Sequence, residues 1–149
     1  MADAADFLLA VYAEHMTQAR WHEEQREKVS TLVFAGSGAL LALAAAVDPW
    51  RRSLAYGLVV ALGLIGTAIA LKHYERNRRH VGAGRALRER LDAILPEAAV
   101  GPALRPRPPH ESLACRALEG VRLYLLWSLL NAFVACLGLT MLLANLLHG

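Results

Sequence analysis

The chain has 149 residues, 56% of them hydrophobic and 19% charged, with 16 Lys and Arg against 13 Asp and Glu for a formal net charge of +3. The charges are segregated, with net −3 over residues 1–30, +1 over 31–71 and +5 over 72–122. Three long runs, 31–47, 54–71 and 121–147, are apolar on every side and nearly free of charge, Arg122 apart. A water-soluble domain has no use for such helices, whereas a bilayer core of about 30 Å needs roughly 20 apolar residues per crossing.

In chain order, residues 1–30 read as a cytoplasmic amphipathic helix. The stretch 4–29 has no Gly or Pro, and Leu8, Val11, Tyr12, His15, Ala19 and His22 form one stripe. Asp3 and Asp6 suit the positive end of its dipole. A transmembrane hairpin over 31–71 follows. Its first span can be extended by Val29 and Ser30, lies far from the N-terminus and lacks a basic leader, so it is expected to insert uncleaved. Residues 48–53 form the expected turn. The second span runs without a breaker into a basic cytoplasmic helix over 72–95, which Pro96 stops. Gly82 and Gly84 are its weak points, each costing about 1 kcal/mol relative to Ala. Residues 96–120 hold Pro96, Pro102, Pro106, Pro108 and Pro109 and read as an extended linker, then a short helix at about 111–119, before the third span over 121–149.

Lys and Arg accumulate on the cytoplasmic side of short loops, so the eleven basic residues of 72–122 belong inside, against Arg51 and Arg52 outside. The N-terminus is then cytoplasmic and the C-terminus periplasmic. Cys115 and Cys136 fall at different levels, and the cytosol is reducing, so no disulfide is expected. The predicted fold is an all-α integral membrane protein, with three transmembrane helices and a cytoplasmic two-helix stalk. A turn near residue 50 sets residue i opposite roughly residue 101 − i. That places His22 at the level of His80, Glu23 and Glu24 near Arg78 and Arg79, and Glu14 near Arg88.

Two patterns could carry function. In the third span, Tyr124, Ser128, Asn131, Ala135, Gly138, Leu142 and Asn145 fall on one stripe. Small and polar groups let helices associate in lipid, so packing within one protomer is one reading; lining a pore in a symmetric homo-oligomer is the other, with Ser128, Asn131 and Asn145 as lining or gating residues. Small-xxx-small pairs (Gly38 and Ala42, Gly63 and Thr67, Gly66 and Ala70) support close packing without a particular function. On the basic helix, His73, Arg76, Asn77, Arg79 and His80 are candidate ligands for a phosphate-bearing molecule, a nucleotide or oligonucleotide, because arginine forks match phosphate oxygens. Positive-inside anchoring, attraction to anionic headgroups and pairing with Glu14, Glu23 and Glu24 account for the same charges. No metal is expected, since neither an i, i+4 histidine pair nor a CxxC occurs. Nor is an enzyme or a proton-coupled transporter: the chain offers no nucleophile with a base and no phosphate loop, and no Asp, Glu, Lys or His lies within a span.

The layout resembles a known family. A cytoplasmic helix with Tyr12, His15, Arg20 and Trp21, a tight two-span hairpin, and a second span entering His73-Tyr74-Glu75-Arg76 and then His80 are similar to the SLATT-type small membrane effectors of bacterial nucleotide-linked conflict systems, over about residues 5–95. The resemblance implies a homo-oligomer that permeabilises the bacterial inner membrane in antiphage defence. Control would come from a partner nucleotidyltransferase, or from its nucleotide or nucleic-acid product. The third span is additional to the two-span pattern. A non-conducting membrane scaffold that docks a cytoplasmic partner is the other function expected of such a chain.

Overall fold

A computed structural model describes residues 2–96 and 123–148, which form three α-helices: α1 (Ala2–Ala44), α2 (Pro49–Ile94) and α3 (Leu123–His148). Each contains a stretch long and apolar enough to cross a membrane. Most of the proline-rich linker and the short helix expected at about 111–119 lie outside the described residues. The described residues form two compact units, one of residues up to 23 with 74–96, the other of residues 24–73 with 123–148.

The connection between α1 and α2 is shorter and earlier than the pattern suggested, because α2 starts at Pro49 and not after Ser53. Proline suits the first helical position: its missing N–H would have no partner there, and its fixed φ is already helical. Asp48 supplies the carbonyl for the first bond of α2, from Arg52 N at 2.9 Å, while Ala46 N closes the end of α1 onto Leu43 O at 3.0 Å. Arg52 then reaches back, with Nε to Ala44 O at 3.0 Å and Nη2 to Val47 O at 3.2 Å. One guanidinium thus takes up carbonyls that the end of α1 leaves without helical donors, and sets positive charge on the negative end of its dipole.

Moving the turn moves the pairing. Ala44 with Arg52, Ala19 with Asn77, and Tyr12 with Gly84 are pairs whose numbers each add to 96, not 101. Glu14 therefore does not meet Arg88. It accepts from Gln18 at 2.8 Å, and Arg88 pairs with Asp92 at 4.0 Å, both within their own helices.

The three-helix unit is packed with small residues inside and large ones outside. Its apolar core is Val33, Val59 and Val134, bordered by Val29, Phe34 and Leu62 among others. Leu32 is 71% exposed, and Leu64, Leu129 and Phe133 also point outward. The inner positions of α2 and α3 are glycine, where the backbones nearly touch. A Cβ added at Gly63 would lie 2.5 Å from Ala135 N, and one at Gly138 would lie 2.8 Å from Val59 Cγ1. Water would drive large apolar side chains inward; the reverse pattern suits helices in lipid, which does not distinguish such side chains from its own tails and leaves close contact between small residues to decide the packing. Only 22%, 28% and 28% of the apolar windows of the three helices are buried, which leaves most of their apolar surface for lipid or other copies of the chain.

Candidate functional site

In the two-helix unit one face of α2 is committed to α1. Asn77 is buried and donates from Nδ2 to Ala19 O at 3.0 Å. His80 lies with Nδ1 3.0 Å from Nδ1 of His15, so one ring must carry the proton and the other must accept it. His22, 4% exposed, brings its ring centroid to 5.5 Å from that of His80, and Trp21 meets His22 edge-on at 4.9 Å. The α2 helix is unbroken at Gly82 and Gly84, and no glycine among the described residues has a positive φ. Gly84 instead makes room: a Cβ there would sit 3.1 Å from Met16 Sδ and 3.7 Å from the Tyr12 ring.

The opposite face of α2 carries exposed arginines. At 100° per residue, Tyr74, Glu75, Arg78 and Arg79 lie away from the Asn77–His80–Gly84 stripe, and they line an open hollow of about 500 Å³. Arg76, Arg78, Arg79, Arg85 and Arg90 are exposed. Arg79 pairs with Glu75 one turn back. An exposed pair of this kind contributes only about 0–1 kcal/mol, so an arriving phosphate can displace Glu75 from the fork at little cost.

The five ligand candidates on α2 therefore do not converge. Arg76 and Arg79 are available, Asn77 and His80 hold α1, and His73 belongs to the other unit, where it is half-buried. Tyr74 and Arg78, which line the hollow, were not singled out as ligands. The repeated spacing of four, Tyr74 to Arg78 and Glu75 to Arg79, was the signal for them.

In the three-helix unit the polar stripe of α3 turns inward. Ser128, Asn131, Ala135 and Gly138 are buried and Leu142 and Asn145 half-buried, while the Tyr124 side chain is outside the description. Asn131, at 0% exposure, donates from Nδ2 to Ser30 Oγ at 3.0 Å. Its Oδ1, with Ser37 Oγ and Ser128 Oγ, has no hydrogen-bond partner among the described residues. Asn145 donates to Pro49 O and to Ser53 Oγ, each at 2.9 Å, and so ties the end of α3 to the start of α2. Among the described residues no group of three or more His, Cys, Asp or Glu is placed to hold a metal.

Among the described residues, these features define an all-helical structure with three candidate membrane spans and an arginine-rich face on the second helix. No protein-family model matches it, and neither a curated protein nor a solved structure shows a significant match.

Proposed function

We propose that the chain is a homo-oligomeric effector of the bacterial inner membrane, inserted with its N-terminus cytoplasmic and its C-terminus periplasmic, and that it forms an ion-conducting pore in antiphage defence. Its signal is a nucleotide, an oligonucleotide or a nucleotidyltransferase partner, received on the Arg78 and Arg79 face of α2. Exposed guanidinium groups offer bidentate, charge-assisted bonds to phosphate oxygens, which an ammonium group cannot match in geometry. The observation that carries the pore reading is the set of Ser37, Ser128 and Asn131, whose buried oxygens lack partners among the described residues. Each such group in a dry interior costs about 1–3 kcal/mol, and water reaching it in an opened state would return that cost. In this arrangement these oxygens are closed inside one protomer, and the signal must favour a state that uncovers them.

A second reading, a non-conducting scaffold that docks a cytoplasmic partner, is favoured by the Asn131–Ser30 and Asn145–Ser53 bonds, which use the same stripe for packing. The experiment that separates the two is native mass spectrometry of the purified protein, before and after nuclease, followed by planar-bilayer recording. A closed ring with nuclease-sensitive mass, and a conductance lost in Asn131→Leu, supports the effector. A monomer or dimer without conductance supports the scaffold.

A further inference from the structure

At the turn end of the three-helix unit, Arg52, Tyr56, Met141, Ala144, Asn145 and His148 line a hollow of about 360 Å³. Three of these residues bring donors that nothing among the described residues uses. Arg52 is held in place by the α1 carbonyls through Nε and Nη2, which leaves Nη1 unbonded. Neither the Tyr56 hydroxyl nor the His148 ring has a partner among the described residues. Asn145 adds the opposite function. Its amide nitrogen is fixed on Pro49 O and Ser53 Oγ, so its carbonyl remains as an acceptor. Among the described residues no carboxylate pairs with Arg52; the nearby Asp48 faces Arg51 at 3.9 Å.

A cationic fork, a phenol and an imidazole that all lack acceptors suit a ligand that is itself acceptor-only and anionic, with a hydroxyl alongside to meet the Asn145 carbonyl. We propose that this hollow binds the phosphate of a phosphate ester whose alcohol part carries a hydroxyl, the headgroup of an anionic glycerophospholipid being the source its position favours. The position is the junction of three helix ends, next to an exposed Trp50 with Arg51 over its ring at 5.4 Å, which is the side-chain pairing of a membrane–water interface. Met141 and Ala144 form the apolar wall. The lipid source rests on the membrane reading above; the site itself is independent of pore formation and of the arginine face on α2.

The test uses the full chain in a neutral detergent, titrated with dioleoyl phosphatidylglycerol, dioleoyl phosphatidylcholine, glycerol 1-phosphate and inorganic phosphate. Adducts are read by native mass spectrometry and stabilisation by thermal unfolding. Phosphatidylglycerol is expected to bind at one molecule per chain, at least tenfold tighter than phosphatidylcholine. Tyr56→Phe and His148→Leu, which leave the Arg52 cap intact, are each expected to weaken it about tenfold, as loss of one hydrogen bond to a charged group does. Arg52→Lys keeps the charge and loses the fork, and is expected to weaken binding further. Equal binding of the two lipids, with Tyr56→Phe and His148→Leu indistinguishable from the parent, overturns the proposal. Saturation by glycerol 1-phosphate or inorganic phosphate at the same concentrations supports the phosphate site and assigns it a soluble source. Failure of membrane insertion shows separately, as recovery of the chain without detergent, and leaves the soluble-phosphate arms readable.

Discussion

Gly63→Ala is the sharpest test of how the three-helix unit is built. The added Cβ would lie 2.5 Å from Ala135 N and 2.8 Å from Ala135 Cα and Cβ, all fixed parts of α3 that no rotamer change can move. Relief requires α2 and α3 to separate, and overpacking of this kind costs about 1–3 kcal/mol. The opposing gain in helix propensity is at most about 1 kcal/mol. A net loss of about 1–2 kcal/mol is expected. Gly38→Ala makes the same chemical change where nothing lies within 4 Å, so it should be neutral or stabilising by up to about 1 kcal/mol. Both variants would be unfolded thermally and with denaturant in one detergent beside the parent. If Gly63→Ala is as stable as Gly38→Ala, the close approach of α2 to α3 at Ala135 is wrong, and with it the inward placement of the α3 stripe.

Asn131→Leu removes the bond to Ser30 but also removes an unpartnered carbonyl. Bonds between helices in lipid average about 0.6 kcal/mol, so the net change in detergent-unfolding stability should stay within about 1 kcal/mol; a loss above 3 kcal/mol would mean that Asn131 has partners beyond Ser30. His15→Leu removes the His15–His80 contact and should speed hydrogen exchange of α1 around residue 15, read by mass spectrometry beside the parent. Arg78→Gln with Arg79→Gln should weaken binding of a short oligonucleotide at least tenfold and flatten its salt dependence, while Asn77→Leu, which acts on the other face of α2, should leave binding within twofold. Fluorescence anisotropy at two salt concentrations reads both.

The helices and their apolar spans were legible in the sequence because nothing competes with the signal: long runs without charge have one helical interpretation at this length. The turn was less legible. Asp48-Pro49 is a helix start, and Arg51 and Arg52 attract attention as loop charges although both lie within the first turn of α2. Misplacing the turn by a few residues carried through the register and brought together Glu14 and Arg88, which the structure pairs elsewhere. The face of α2 was half legible: His73, Asn77, His80 and Gly84 do share a stripe, but a stripe of polar residues reads alike whether it meets a ligand or another helix. Contact with α1 decides it. The Arg52 hollow was not legible, since its walls come from α2 and α3, ninety residues apart in the chain.

The same ambiguity governs the stripe of α3, and there burial alone does not resolve it. A seam that existed only to pack helices would pair its polar atoms, because an unpaired one is a loss that an alanine or valine at the same place would avoid. Asn145, half-buried, makes both bonds of its amide nitrogen across to α2 and keeps its carbonyl for the hollow beside it. Ser37 Oγ, Ser128 Oγ and Asn131 Oδ1 are buried without partners among the described residues, although the valines of the same core show that apolar side chains fit there. The difference between Asn145 and Asn131 thus separates the stripe into a part that fastens α3 to α2 and a part whose polar atoms packing alone does not account for, which is where the proposed pore-forming state would have to differ from this one.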